Sequence, residues 1–180
     1  MKKPFLLSLL TLLFGLNLAT TAQAEIYLEP FLGYGAGKWE MGTDNEKYNG
    51  AQLGLRAGYY TLGLSAGLEY QGGKFEDKAS PSHEMTAMDL GLYVGFEFPI
   101  LVRAYATYFP IAKVKHASSS EQARYEGNGL KLGVGLTTLP FLNVNLEYQI
   151  NTYDEDQDGS LTDKMKSTAI AVNVSCPLEL

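Results

Sequence analysis

From Ile26 onward apolar residues recur at every second position, in one short segment after another, which is the signature of β-strands with a single apolar face. In the first segment Ile26, Leu28, Leu32 and Tyr34 share one face, and Tyr27, Glu29, Phe31 and Gly33 share the other. The second sets Leu53 and Leu55 against Gln52 and Arg56, and the third sets Leu64 and Leu68 against Ser65 and Glu69. The fourth opposes Leu90, Leu92 and Val94 to Asp89, Tyr93 and Glu97. The fifth is less regular, with Val102, Ala104 and Tyr108 against Arg103, Tyr105 and Thr107. Leu130, Leu132 and Val134 then oppose Lys131, Gly133 and Gly135; Leu142, Val144 and Leu146 oppose Asn143, Asn145 and Glu147; Ile170, Val172 and Val174 oppose Ala171, Asn173 and Ser175.

Eight segments of about ten residues fit the length and two-residue period of strands that cross a bilayer in a barrel. A soluble lipocalin-like barrel alternates too, but with apolar residues inside and charges outside. The connections favour the membrane form. Short links near Tyr60-Thr61, Pro99-Ile100 and Leu139-Pro140 alternate with long polar stretches at about 40–50, 72–85, 110–126 and 152–166, as short periplasmic turns alternate with long extracellular loops. Tyr34, Tyr70, Tyr108 and Tyr148 face outward at the loop ends of the ascending strands, and Tyr59, Phe96 and Phe98 do so at the turn ends. Two aromatic belts about a hydrocarbon thickness apart anchor a barrel at both interfaces. The fold class predicted is all-β: an eight-stranded antiparallel up-and-down transmembrane β-barrel.

The N-terminus carries the export signal such a protein requires. Lys2 and Lys3 precede an apolar run from Phe5 to Leu18, and Ala22-Gln23-Ala24 supplies a small-residue cleavage site. The run is shorter than the roughly twenty residues of a spanning helix. Residues 1–24 are therefore read as a cleaved secretory signal peptide, and 25–180 as the barrel domain. The formal charge of −6 becomes −8 once Lys2 and Lys3 leave, which speaks against nucleic-acid binding, since that needs a basic stripe. A single cysteine, Cys176, offers no intramolecular disulfide.

These features, with a last strand running Val172-x-Val174-x-Cys176-x-Leu178-x-Leu180, resemble the OmpA/OmpX/OmpW-type group of small outer-membrane barrels. The resemblance covers the whole segment after residue 24. It implies a monomer of the Gram-negative outer membrane with both termini periplasmic. Its partners would be outer-membrane lipids, lipopolysaccharide and the outer-membrane assembly machinery. Members commonly end in an aromatic residue recognised during assembly; Leu180 departs from this, and Pro177 removes a ladder donor nearby.

Candidate chemistry is sparse. Glycines at 33, 35, 37, 133 and 135 have a period of two and no following helix, so they relieve crowding in a narrow lumen rather than cradle phosphate. Inward charges fall at Glu29, Arg56, Glu69, Asp89, Glu97, Arg103, Lys131 and Glu147, with Glu97–Arg103 and Lys131–Glu147 expected to lie directly across from one another. They line a narrow ion path or satisfy one another in a packed lumen; an eight-stranded interior favours packing.

Both histidines, His83 and His116, fall in predicted loops. His116-Ala117-Ser118 resembles the His-x-Ser of the barrel lipid A deacylase PagL, but Ser119 replaces the asparagine of that motif, and the spacing of Glu121 and Glu126 departs from it. Asp154, Asp156 and Asp158, before Gly159, resemble the opening of a calcium loop, yet Met165 stands where the bidentate glutamate belongs. The expectation is a protein without catalytic, cofactor or metal-binding residues, acting through its surface loops; the alternatives are a narrow channel and a PagL-like enzyme.

Overall fold

The computed structural model describes residues 24–42, 44–77, 84–117, 122–139, 141–156 and 159–180. Eight long strands follow one another around a closed antiparallel barrel: β1 (Glu25–Met41), β2 (Asp44–Thr61), β3 (Leu64–Asp77), β4 (Glu84–Phe98), β5 (Val102–Ala117), β6 (Gln122–Leu139), β7 (Leu142–Asp156) and β8 (Gly159–Ser175). β1 pairs with β2 on one side and β8 on the other, which closes the sheet and removes its edges. A two-residue segment, β9 (Leu178–Glu179), also pairs with β1. Its register continues that of β8, from Phe31↔Ser175 to Tyr27↔Glu179, so β9 is the end of the eighth strand interrupted at Pro177. Cys176 and Leu180 donate their backbone N–H groups to Pro30 and Ile26 on either side of the break.

The faces follow the sequence pattern. Leu32, Leu53, Leu68, Leu92, Leu132, Leu146 and Val172 stand on the outside, while Glu29, Arg56, Glu69, Asp89, Arg103, Lys131 and Glu147 are buried within. A soluble barrel would have the opposite polarity. So large a continuous apolar outer surface is stable only in lipid. Tyr34, Tyr70, Tyr108 and Tyr148 face outward at one rim of this band, and Tyr59, Phe96 and Phe98 at the other.

The structure shifts two short turns. The first hairpin turns at Leu62-Gly63 rather than Tyr60-Thr61, because both residues take the positive φ of a two-residue hairpin turn (49° and 82°) and Thr61 pairs with Leu64. Leu62, which continues the alternation of Leu64 and Leu68 in the sequence, thus belongs to the turn and not to the strand. The third hairpin pairs Leu139 with Leu142, so Gly133 rather than Lys131 stands opposite Glu147, and Lys131 faces Gln149 across the strands.

The long connections are corrected more deeply. Most of the residues expected to be loops continue the barrel: β2 begins at Asp44, β3 runs to Asp77, β5 to Ala117, β6 starts at Gln122, and β7 and β8 extend to Asp156 and from Gly159. Above the tyrosine belt the polarity reverses. Trp39, Tyr48, Met85, Ala112, Val114, Tyr153 and Met165 form a buried cluster inside, while Lys74, Lys115 and Arg124 lie on the outside. Water now surrounds the barrel, so the hydrophobic effect points inward again. Register shifts after Phe109, Glu126 and Tyr153 mark this level, and the first absorbs Pro110, which has no N–H for the ladder.

Candidate functional site

The lumen is where a pore or a buried site would lie, and each of β1 to β7 contributes an ionisable side chain to it. Arg56 on β2 is fully buried and holds three carboxylates from three other strands: Glu29 at 3.0 Å, Glu69 at 3.2 Å and Glu147 at 2.6 Å. Its guanidinium also lies over the rings of Phe31 and Tyr105, 4.6 and 4.3 Å from their centroids. Lys131 pairs with Glu69, reaches Glu147 at 3.4 Å, and donates to Gln71 Oε1 at 2.7 Å. Arg103 pairs with Glu29 and donates to Asn145 Oδ1 at 2.8 Å. Three cations and three glutamates therefore balance. Asp89 is held by the amides of Gln71 (2.7 Å) and Gln149 (2.9 Å).

Aromatic layers close this network from both ends. Toward the short turns, Tyr27, Tyr93 and Tyr105 pack together, and Tyr105 donates to Glu147 at 2.6 Å. Tyr105 lies flat against β6 because position 133 is glycine; a Cβ there would overlap its ring. Toward the long hairpins, Trp39 packs on Tyr48 and Tyr153 at 5.1 and 5.6 Å between centroids. Tyr48 shares a 2.7 Å hydrogen bond with Ser167, which satisfies its buried hydroxyl. Between the ionic layer and this cap lies a cavity of about 40 Å³, bordered by Gln52, Asp89, Gln149, Trp39 and Tyr48. That is room for about one water molecule.

The predicted pairs are only partly assembled. Glu97 and Arg103 do stand opposite each other across the β4–β5 turn. Arg103 nonetheless extends into the lumen to Glu29, and Glu97, half-buried near the turn, lies 3.5 Å from the Tyr60 hydroxyl. Lys131 and Glu147 meet diagonally rather than directly.

His116 is not in a loop. It sits inside β5 with its ring edge-on to Trp39 and Tyr125, at 5.9 and 6.1 Å. Glu126 is on the outer face, paired with Lys113 at 2.7 Å, so the barrel wall separates it from His116. Ser118, Ser119, Glu121 and His83 lie outside the described residues. Asp154 and Asp156 belong to strand β7, where Asp156 pairs with Gly159 and Asp154 approaches Lys164 at 3.9 Å; Asp158 lies outside the described residues. An extended strand does not curl carboxylates around an ion as a calcium loop does.

Sequence reasoning missed the aromatic cap. Its signal was the alternation of Tyr48, Gly50 and Gln52, and of Ala112, Val114 and His116, continuing through stretches whose charges suggested loops.

Known proteins share this architecture. The chain superposes on Neisserial surface protein A with a TM-score of 0.59 at 16% identity, over 86% of this chain and 98% of that one. On Ail, the attachment invasion locus protein of Yersinia pestis, the TM-score is 0.61 at 14% identity, over 86% and 99%. On the N-terminal β-barrel domain of Pseudomonas aeruginosa OprF it is 0.50 at 14% identity, over 88% and 100%. No curated protein matches the chain. At these identities the superpositions establish the fold, and the sequence itself supplies the family, because residues 5–176 match the model of the outer membrane protein beta-barrel domain. The closed eight-stranded barrel with its lipid-facing outer surface is thus a member of the outer membrane protein beta-barrel domain family.

Proposed function

We propose that this protein is a non-catalytic, non-conducting barrel that acts through the extracellular ends of its hairpins, where it meets lipopolysaccharide and external partners. In this reading residues 1–24 are a cleaved leader, the assembly machinery inserts the barrel as a monomer, and both termini face the periplasm. One observation carries it: Arg56 is held across the lumen by Glu29, Glu69 and Glu147, with no exposed atom on the guanidinium side chain. A conducting path would need those ion pairs broken or hydrated, and a desolvated pair is costly to break. A lipid A hydrolase would need its base on the lipid side of the wall, whereas His116 belongs to the aromatic cap inside.

The extracellular hairpins suit a binding role better than loose loops do, because paired strands hold surface side chains in fixed rows at little entropic cost on binding. The test is reconstitution into planar bilayers with lipid A mass spectrometry on the same sample. The reading predicts no unitary conductance and unaltered lipid A. Steady single-channel steps would establish the channel instead, and loss of an acyl chain from lipid A the enzyme.

A further inference from the structure

Four outward-facing residues stand in one row across adjacent strands above the tyrosine belt: Lys74 on β3 pairs with Thr86 on β4, Thr86 with Lys115 on β5, and Lys115 with Arg124 on β6. All four are exposed. With neighbouring strands about 4.8 Å apart, the row spans roughly 15 Å. Lys38, Lys113 and Lys164 each have a carboxylate partner. Among the described residues none of Lys74, Lys115 and Arg124 has one. Like charges directly opposite each other, as Lys115 and Arg124 are, destabilise a sheet unless an anion lies between them. The same wall is concave: Thr86, Met88, Lys113, Lys115, Arg124 and Glu126 border a surface depression of about 260 Å³.

Height selects the anion. Lys74 is four residues above the outward Tyr70, and Lys115 seven above the outward Tyr108 with a bulge between, so the row climbs from roughly 10 to roughly 15 Å along the membrane normal for tilted strands. Long basic side chains bend toward the interface, which brings their charges into the headgroup layer. Over the β3–β4 half of the ledge the next row carries Glu76 opposite Glu84, and over the β5–β6 half Ala117 and Gln122. A soluble polyanion descending on the first half meets those carboxylates before Lys74, whereas a lipid phosphate approaches sideways, beneath them.

We infer that Lys74, Thr86, Lys115 and Arg124 form a binding ledge for the phosphate groups of an outer-leaflet glycolipid. The inference rests on the proposed outward orientation of the long hairpins and adds the residues that make the lipid contact.

The test uses the full barrel folded into phosphatidylcholine vesicles that contain either bisphosphorylated lipid A or the same lipid A stripped of phosphate. The readout is lipid A retained through re-extraction into detergent. Phosphorylated lipid A should be retained and the stripped form not, with retention falling as sodium chloride is raised. The variant Lys74→Gln/Lys115→Gln/Arg124→Gln should lose about tenfold or more, given the contribution of each cation near an anionic surface. Lys38→Gln/Lys47→Gln/Lys166→Gln, which removes the same charge from the β1, β2 and β8 wall, should retain the lipid, as should the charge-conserving Lys74→Arg/Lys115→Arg.

Equal retention of stripped lipid A, or undiminished retention by the ledge variant, overturns the inference. So does sucrose octasulfate protecting the barrel from thermal unfolding as strongly as lipid A does, if the ledge variant abolishes both effects, because the row would then read soluble polyanions. If the triple variant fails to fold, the single Lys115→Gln and the salt titration decide by the same criteria. Conductance shared by all these proteins would sink the proposed function and leave the ledge standing.

Discussion

Replacing Arg56 by Met isolates the charge at the centre of the lumen, because an unbranched side chain of similar length still packs between Phe31 and Tyr105. The arginine makes three charge-assisted contacts, at 2.6, 3.0 and 3.2 Å. At an effective dielectric near 20, each such pair is worth about 4 kcal/mol before desolvation. Two of the carboxylates keep another cation: Glu29 retains Arg103, and Glu69 retains Lys131. Glu147 keeps Lys131 as its one cation, at the longer distance, with the Tyr105 hydroxyl and the Gln52 amide still donating to it. The variant therefore leaves three glutamates facing two cations in a dry lumen, one negative charge in excess. Removing the guanidinium also returns its own desolvation cost, so the net loss should be about 3–5 kcal/mol, the usual cost of breaking a buried pair from one side.

Urea unfolding in liposomes, followed by the fluorescence of Trp39, the only tryptophan, measures this loss directly. Adding Glu147→Gln should recover about half of it or more. The excess charge disappears, and the amide oxygen still accepts from Tyr105. Conductance is recorded on the same samples, since a lumen with unbalanced charge admits water more readily. A loss below about 1 kcal/mol with no rescue by Glu147→Gln would mean that solvent already screens these charges. The lumen would then be hydrated and not packed.

Leu92→Arg should weaken folding into liposomes by about 2–4 kcal/mol, because Leu92 is 60% exposed on the lipid face near midplane; a cost near zero would invert the face assignment. Gly133→Leu should cost about 1–3 kcal/mol or more by overpacking against the Tyr105 ring, with the same urea assay as the check. In double-mutant cycles with neutral replacements, Lys131 should couple more strongly to Glu69 than to Glu147, whose contact with Lys131 is longer and which Arg56 holds more closely than it holds Glu69; the reverse order would restore the direct Lys131–Glu147 pairing that the sequence suggests.

Faces were legible in the sequence; partners were not. Alternation assigns Lys131 and Glu147 to the lumen whichever way the β6–β7 hairpin is counted, because a slip of two residues returns every side chain to the same face. Their pairing depends on where the chain turns, and Leu139↔Leu142 sets that point beyond the symmetric position. Glu97 and Arg103 show a further limit. Their register came out as the symmetry about Ile100 implies, yet the barrel offered Arg103 a carboxylate across the lumen, on β1, that no hairpin rule reveals. Glu29 and Glu69 are direct cross-strand partners of Arg56 in its two hairpins, but closure alone brings Glu147 to Arg56 from a strand far away in sequence, and pairwise reading of neighbours cannot anticipate that contact.

The hidden aromatic cap has a different cause. A pattern of apolar residues outside and polar residues inside describes a strand only while lipid surrounds it. Within the membrane, lipid solvates the outer face as readily as apolar packing would, so the interior is held by ion pairs and hydrogen bonds around Arg56. Beyond the ring of Tyr34, Tyr70, Tyr108 and Tyr148 the same strands enter water, and burial of Trp39, Tyr48, Val114 and Tyr153 becomes the stronger stabilising term. The phase of the alternation persists through this boundary while its polarity changes sign. The two interior chemistries are therefore one response to a change of solvent along the strand, and the change itself marks where the bilayer ends.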